Sequence, residues 1–188
     1  MGEKNKIKEI KLQFFTYRNG VLGDALRKQG APYKIIFGLN IVQLNNIAKN
    51  TIPDKATAQQ LWDNRSTRES LLLATMIYPR EDFDKETAIT WIKQIPTQEI
   101  ADVLCLNLLK QQPYANQLAD EMICSDNDII RYTALRLMLS QFPYRYEHAE
   151  ECANEELKRQ CAITKSICAQ IIIESNYLKE DNLQTLQH

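Results

Sequence analysis

The chain has 188 residues, of which 44% are apolar and 25% charged, and its formal net charge is −1. This composition is ordinary for a globular protein, and the length is enough for one domain with a sizeable core. No apolar run reaches the roughly 18 residues that predict a transmembrane helix. The charged N-terminus lacks the apolar core of a signal peptide, so we expect a cytoplasmic protein without a membrane segment.

The first third of the chain predicts helices separated by turn residues. Residues 3–18 and 21–29 are both helical in pattern, with Asn19-Gly20 ending the first by a left-handed cap and Gly30 ending the second. Residues 1–34 carry eight Lys or Arg against three Asp or Glu. A basic end of this kind can bind phosphates, and the alternative is that the charge serves only solubility. Residues 32–39 predict a short helix or an extended connector.

From Asn40 onward the spacing of apolar residues predicts antiparallel helix pairs. Asn40 is placed to cap the first of these helices. Ser66 and Glu69 match a capping box at the start of a nearly continuous apolar helix, which we expect to be central and buried. The predicted pairs are 40–50 with 54–63, 66–78 with 84–95, 97–111 with 114–124, and 127–141 with 147–155 or beyond.

The resulting fold class is all-α, a HEAT-like or armadillo-type stack of helix pairs (an α-α superhelix) with one concave face. The alternative is an irregular helical bundle. We expect a single domain over residues 1–188, with basic helices at 1–38, helix pairs at 39–175 and a tail at 176–188 that frays or makes one last turn.

Asp102 is the strongest candidate for a functional side chain. It lies among apolar residues of a helix that Thr97 is placed to cap, and it falls beyond the first helical turn. Burying a carboxylate is costly unless something neutralises it or function requires it. Capping does not explain this aspartate, so it marks the first place to look for a site.

Several common chemistries have no support in the sequence. The five cysteines form no CxxC and there are only two histidines, so we expect reduced thiols, with Cys105 on an apolar helix face, and no metal site. The motifs GxxxxGK[ST], GxGxxG, GxSxG and HExxH are absent, which leaves the common nucleotide-binding and hydrolase mechanisms without support. No cofactor is expected.

Four segments, in order, resemble landmarks of the HEAT-like DNA alkylation repair glycosylases of the AlkD type. They span about residues 33–140 and read FGLNIVQLNNIAK, LWDNRSTRESLLLATMIYP, TQEIADVLCLNLLKQQP and SDNDIIRYTALRLML. The resemblance implies base excision from damaged double-stranded DNA. In that family an aspartate stabilises the positive charge that develops on the sugar as the base leaves, and Asp102 falls at its position.

The same resemblance shows departures from the family pattern. The family's tryptophan, four residues before the aspartate, falls on Gln98, and its arginine falls on Tyr132, with Arg131 adjacent as a candidate replacement. The family's later tryptophan has no clear match. Because the aromatic residues hold the damaged nucleotide by stacking, their loss predicts a changed substrate or a lost activity.

Two functions are therefore predicted. The first is a monomeric DNA-binding protein of the alkylation-repair type, a DNA N-glycosylase with a degenerate active site, in which Asp102 is the catalyst. Arg68, Arg131 and Arg145 would hold phosphates. Arginines recur once or twice per helix pair and could line one groove: Arg65, Arg68, Arg131, Arg136 and Arg145. Alternatively, these arginines are paired with acidic neighbours: Asp63, Glu69, Asp126 and Asp128. The alternative is a non-catalytic scaffold that binds a protein or peptide on its concave face. A basic concave face favours DNA, and a mixed or apolar one favours protein.

Overall fold

The structure is a computed structural model that describes residues 3–185; residues 1, 2 and 186–188 lie outside the described part. Helices dominate the described residues, which contain no β-strand and only an isolated parallel bridge between Ile35 and Thr67. The chain divides into two compact units, Met1–Asp84 and Lys85–His188, called here unit 1 and unit 2. The all-α prediction is confirmed, and the prediction of one domain over 1–188 stays a prediction.

Unit 1 is built from short capped helices around a connector. Asn40 caps α3 in a reciprocal capping box with Gln43, and Asp54 caps α4 by accepting the Thr57 amide. The capping role predicted for Asn40 is therefore confirmed. The helices of the described part of unit 1 are α1 (Glu3–Thr16), α2 (Gly20–Lys28), α3 (Ile41–Lys49), α4 (Lys55–Asp63) and α5 (Arg68–Ile77), followed by a 3-10 turn (Arg80–Asp82).

Two predictions about helix ends in unit 1 differ from the structure. Gly30, at φ +84°, follows the end of α2 as predicted. Asn19, however, has φ −126° and caps the start of α2, where its side chain accepts the Leu22 amide, so the left-handed end predicted for α1 is wrong. The capping box of Ser66 and Glu69 is also wrong, because Thr67 is the cap residue of α5 and makes no side-chain cap bond.

Glu69 is instead the acceptor that holds the extended connector 32–39 against α5. Its fully buried carboxylate accepts the backbone N–H groups of Phe37, Gly38 and Leu39 at 3.1, 2.9 and 3.3 Å. Gly38 has φ +79°, and a Cβ there would lie 2.1 Å from the Asn19 carbonyl oxygen. The connector therefore requires glycine at this position. Every residue of α5 except Met76 is buried, which confirms that this helix is central to its unit.

Unit 2 also contains capped helices, and its helices become longer towards its C-terminal end. Thr97 caps α7 by accepting the Ile100 amide, and Asn127 caps α9 by accepting the amides of Ile129 and Ile130. The helices of the described part of unit 2 are α6 (Lys85–Ile92), α7 (Gln98–Asn107), α8 (Ala115–Met122), α9 (Asp128–Leu139), α10 (Tyr146–Leu157) and α11 (Lys165–Thr185), with a 3-10 turn (Leu109–Gln111) after α7.

The way the helices pair differs from the prediction. The most extensive contacts join α4 to α5, α8 to α9 and α10 to α11, one helix later than the predicted pairs. The packing of α9 on α10 agrees with the prediction, and α9 also packs on α7 and α11. The predicted tail at 176–188 is helical as far as Thr185, and its last three residues lie outside the described part. Within the described residues of unit 2, α9 therefore packs on α7, α8, α10 and α11.

Three further features of the described residues concern membrane-spanning helices, metal sites and cysteines. Among the helices within residues 3–185, none is both long enough and apolar enough to cross a bilayer. In the same range no group of three or more His, Cys, Asp or Glu side chains is placed to hold a metal ion. The five cysteines are free thiols, and Cys105 is buried on α7, in agreement with its predicted position on an apolar face.

Candidate nucleic-acid interface

Asp102 lies where α7 packs on α9, and its carboxylate contacts two side chains of α9. The Tyr132 hydroxyl donates a hydrogen bond of 2.9 Å to its Oδ1, and the Nε of Arg136 lies 3.2 Å from the same oxygen. The Asp102 side chain is 38% exposed and that of Arg136 is 31% exposed. These three residues, which we call the α7–α9 cluster, form a charged group at the edge of the core.

Burial sets the electrostatics of the cluster. Desolvation raises the pKa of the Asp102 carboxyl, and Glu99 adds to that effect, whereas the Tyr132 hydrogen bond and the charge of Arg136 oppose it. Desolvation also raises the pKa of the Tyr132 phenol, and the neighbouring Asp102 charge raises it further. Tyr132 therefore stays a neutral hydrogen-bond donor, and the guanidinium of Arg136 is the charged partner of the Asp102 carboxyl.

Gln98 begins α7 one turn before Asp102. Its side-chain amide donates a 2.7 Å hydrogen bond to the carbonyl oxygen of Ile163, in the segment that precedes α11. This contact links the start of α7 to the segment between α10 and α11. An amide held in this way has no aromatic face for a base, so stacking is not available from this position.

Arg131, a predicted phosphate ligand, is buried in the interior of unit 2. Its Nε donates to both carboxylate oxygens of Glu156 at 3.0 Å, and its Nη groups donate to the Ser125 carbonyl and to Asp128. The side chains of Arg131 and Glu156 are 4% and 2% exposed. Thr164 also donates to Glu156. This network explains Arg131 as the junction of α9, α10 and the segment before α11, and its role in DNA binding stays a prediction.

Arg68, the second predicted phosphate ligand, lies in unit 1 beside Glu69. Its Nη1 donates to the carbonyl oxygen of Leu39 at 3.0 Å and to Glu69 Oε1 at 3.1 Å, and only 4% of the side chain is exposed. The guanidinium completes the pairing of the buried Glu69 carboxylate. Its contacts thus stabilise the connector, and its predicted role in DNA binding stays a prediction.

Arg145, the third predicted phosphate ligand, lies at the surface before α10. It adopts the left-handed backbone region at φ 55°, which is uncommon for a residue other than glycine. Its Nη2 donates to both oxygens of Asp120 on α8 at 3.1 and 2.9 Å, and His148 contacts the same carboxylate. With 38% of the side chain exposed, Arg145 can be reached from solvent. A phosphate would have to compete with Asp120.

A comparison with protein families identifies the family of this chain. A family model described as "DNA alkylation repair enzyme" matches residues 25–165, well over half of the chain. This chain belongs to the DNA alkylation repair enzyme family. None of the curated proteins matches it. A solved structure described as "A new family of proteins related to the HEAT-like repeat DNA glycosylases with affinity for branched DNA structures" is similar to it, with a TM-score of 0.75 and 17% sequence identity over 87% of this chain and 73% of that chain.

These findings confirm the HEAT-like fold class. Membership of the DNA alkylation repair enzyme family supports a DNA-binding, repair-related role, and base excision is a separate question. The matched range includes α7 and α9, and with them the whole α7–α9 cluster.

Sequence reasoning missed how this family member pairs its aspartate. Arg131 was the candidate replacement for the family's arginine, yet the guanidinium that reaches Asp102 is that of Arg136. Tyr132 and Arg136 are four residues apart on α9, so they share a helix face. That spacing was the available signal, but using it requires knowing that α7 packs on α9.

Proposed function

We propose that this protein binds DNA through a surface of unit 2 that carries the α7–α9 cluster, with Arg136 as a phosphate ligand. The observation that supports this best is the ion pair of the partly exposed Arg136 with Asp102, in which Nε lies 3.2 Å from Oδ1. A guanidinium anchored at Nε can direct the N–H donors of its two terminal nitrogens outward, in the fork geometry that suits a phosphate. Asp102 and Tyr132 act as positioning residues for Arg136.

Family membership and exposure support the same assignment. The family described as DNA alkylation repair enzyme covers the cluster, and a structural neighbour at 17% identity is described as having affinity for branched DNA. Arg136 is 31% exposed, whereas Arg131 and Arg68 are each 4% exposed. Among these three arginines, Arg136 is therefore the one that can meet a ligand without disturbing the core.

The test is a salt series of binding to a short DNA duplex and to a branched junction. Wild type is compared with Arg136→Ala and with Lys158→Ala as a matched control, because Lys158, directly after α10, is 69% exposed and its ion pair is a local one with Glu155. Loss of one phosphate contact lowers the slope of log K against log salt by roughly 0.9. We expect that loss for Arg136→Ala and not for the control. If wild type bound neither DNA at low salt, the alternative of a scaffold for a protein partner would replace the proposal.

Base excision catalysed by Asp102 is the second candidate, favoured by the exposure of this side chain, which is 38%. Its net effect on a developing positive charge is reduced by Arg136, which neutralises it. The geometry therefore favours binding over excision.

A base-release assay on DNA that carries cationic methylated purines separates the two candidates. If Asp102 is a catalyst, Asp102→Asn abolishes release and Arg136→Ala, which frees the carboxylate, increases it. If Asp102 only positions Arg136, release stays at the background of the protein-free control for wild type and for both variants. The same samples are checked for DNA binding, so inactive protein is not mistaken for absent chemistry.

A further inference from the structure

Helix α1 has two unlike faces. Ile10 and Phe14 lie on the buried face, with 3% and 0% of their surface exposed. On the opposite side Leu12 is 68% exposed and Phe15 is 56% exposed. At about 100° per residue, Lys8, Lys11, Leu12 and Phe15 fall within one third of the helix circumference. A large aromatic and a leucine are thus displayed together at the surface of unit 1.

The charges around this face are mostly positive. Lys8, Lys11 and Arg18 are exposed, and the one acidic residue of the stretch 6–18, Glu9, lies about 60° from Leu12, at the border of this face. Lys6 lies away from this face, and its Nζ is 3.8 Å from Oδ2 of Asp54. An apolar face bordered by cations has electrostatic complementarity to a polyanion.

The aromatic part of the face is held in a fixed orientation. The Cζ of Arg18 lies over the Phe15 ring at 4.9 Å from its centroid. Phe37 of the connector contacts the same ring edge-on, with centroids 5.9 Å apart and an interplanar angle of 66°. A guanidinium stacked on an aromatic ring offers its outer face to a further planar group.

We propose that this face, the α1 platform (Lys8, Lys11, Leu12, Phe15 and Arg18), binds single-stranded DNA. Unpaired bases stack on the Phe15–Arg18 pair and pack against Leu12, and Lys8 and Lys11 bind the phosphates between them. Stacking on an aromatic or guanidinium plane beside cations is how proteins hold single strands without sequence preference. Two large apolar side chains are too few to anchor a helix in a bilayer, which argues against a lipid surface.

This inference does not rest on the α7–α9 cluster, because it concerns another unit and another form of DNA. The test measures binding of the full chain to fluorescent oligothymidylate of about 12 nucleotides by anisotropy. Phe15→Ala is compared with Val21→Ala, an exposed apolar residue of α2 that is 84% exposed and outside the platform. Circular dichroism verifies that both variants are folded.

We expect Phe15→Ala to weaken binding of oligothymidylate roughly tenfold, because the variant lacks the ring on which a base stacks. Val21→Ala should bind it as wild type does. A folded Phe15→Ala with wild-type affinity would overturn the proposal, and so would a wild type that does not bind the oligonucleotide.

A second variant tests the lysines independently of the ring. Lys8→Gln with Lys11→Gln should lower the salt slope for oligothymidylate by roughly 1.4, the value for two phosphate contacts on a single strand. An unchanged slope would contradict the assignment. Vesicles of phosphatidylcholine and phosphatidylserine, and the sedimentation of the protein alone, complete the test. A Phe15-dependent signal in either of these, without oligothymidylate binding, would replace the proposal with a lipid surface or a second copy of the chain.

Discussion

Arg131 and Arg136 lie five residues apart on the same helix and have opposite environments. Arg131 is 4% exposed, and its Nε and both Nη groups donate to Glu156, Ser125 and Asp128. Arg136 is 31% exposed, and its Nε contacts one oxygen of Asp102. The sequence alone assigns both to one class, arginines that recur along a helical repeat. The contacts make the first a structural element of unit 2 and the second a candidate for contact with DNA.

The difference follows from helical phase. Five residues turn the helix through about 140° beyond a full turn, so the two side chains leave α9 on different sides. One side meets α10 and the segment before α11, where a buried carboxylate requires a partner. The other meets α7 near the surface. A buried guanidinium with its donors paired has little capacity left for a ligand, whereas a half-exposed one keeps that capacity.

The largest expected effect is on stability, at the buried pair. Arg131→Ala leaves the carboxylate of Glu156 buried with only Thr164 and Arg159 nearby, and we expect it to lower the free energy of unfolding by about 3–5 kcal/mol. Urea or thermal unfolding measures it. Arg131→Met combined with Glu156→Leu should recover most of the loss, because no charge is then left unpaired. A single variant as stable as wild type would contradict the structural assignment.

At Arg136 the larger effect is expected on binding. Arg136→Ala should weaken binding to duplex DNA roughly tenfold, about 1.4 kcal/mol, from the loss of one charged contact. Unfolding should change by less than about 1 kcal/mol, because half-exposed ion pairs contribute little. Anisotropy titration and urea unfolding of the same preparation give both values. A large loss of stability without loss of affinity would make Arg136 resemble Arg131 and remove the distinction.

Tyr132 should show an intermediate behaviour. Its side chain is only 6% exposed, and its hydroxyl donates to Asp102. Tyr132→Phe keeps the ring and removes this hydrogen bond, so we expect a loss of about 1 kcal/mol in stability. DNA affinity should fall less than in Arg136→Ala, because the guanidinium is still present. An affinity loss equal to that of Arg136→Ala would mean that Tyr132 contacts DNA directly.

The smallest expected effects are on the pH dependence of stability, and they have opposite signs at the two partner aspartates. The hydrogen bond from Arg131 lowers the pKa of Asp128, so its contribution is present above the unfolded pKa and is lost as pH falls through the folded value. Burial raises the pKa of Asp102, so its contribution is present below the unfolded pKa and is lost as pH rises through the folded value. Unfolding of Asp102→Asn and Asp128→Asn against wild type between about pH 3 and 6 should give difference curves of opposite slope. Parallel curves would contradict the account.

The sequence predicts what is local and misses what depends on packing. Asn40 and Thr97 cap their helices as expected, because capping involves only residues three positions apart. Ser66 and Glu69 satisfy the same local pattern, yet Glu69 binds backbone amides about thirty residues earlier, and no local pattern encodes that contact. For the same reason, the sequence predicts helix pairs that differ from those with the most extensive contacts, which are α4 with α5, α8 with α9 and α10 with α11.

The candidate site divides in the same way. Asp102 was found because a carboxylate on an apolar face is conspicuous in sequence, whereas its partner Arg136 could be identified only once α7 was known to pack on α9 rather than mainly on α8. The sequence points to Arg131 because it is adjacent to Tyr132, the position of the family's arginine. One residue along a helix is a rotation of about 100°, which was enough to place it in the core.

A double-mutant cycle on DNA affinity shows whether Asp102 acts through Arg136. Duplex binding is measured for wild type, Asp102→Asn, Arg136→Ala and the double variant at one salt concentration. If Asp102 positions Arg136, Asp102→Asn weakens binding at least roughly twofold when Arg136 is present and has no such effect when it is absent. An aspartate that merely repelled phosphates would give the contrary result, a gain of affinity of equal size in both backgrounds.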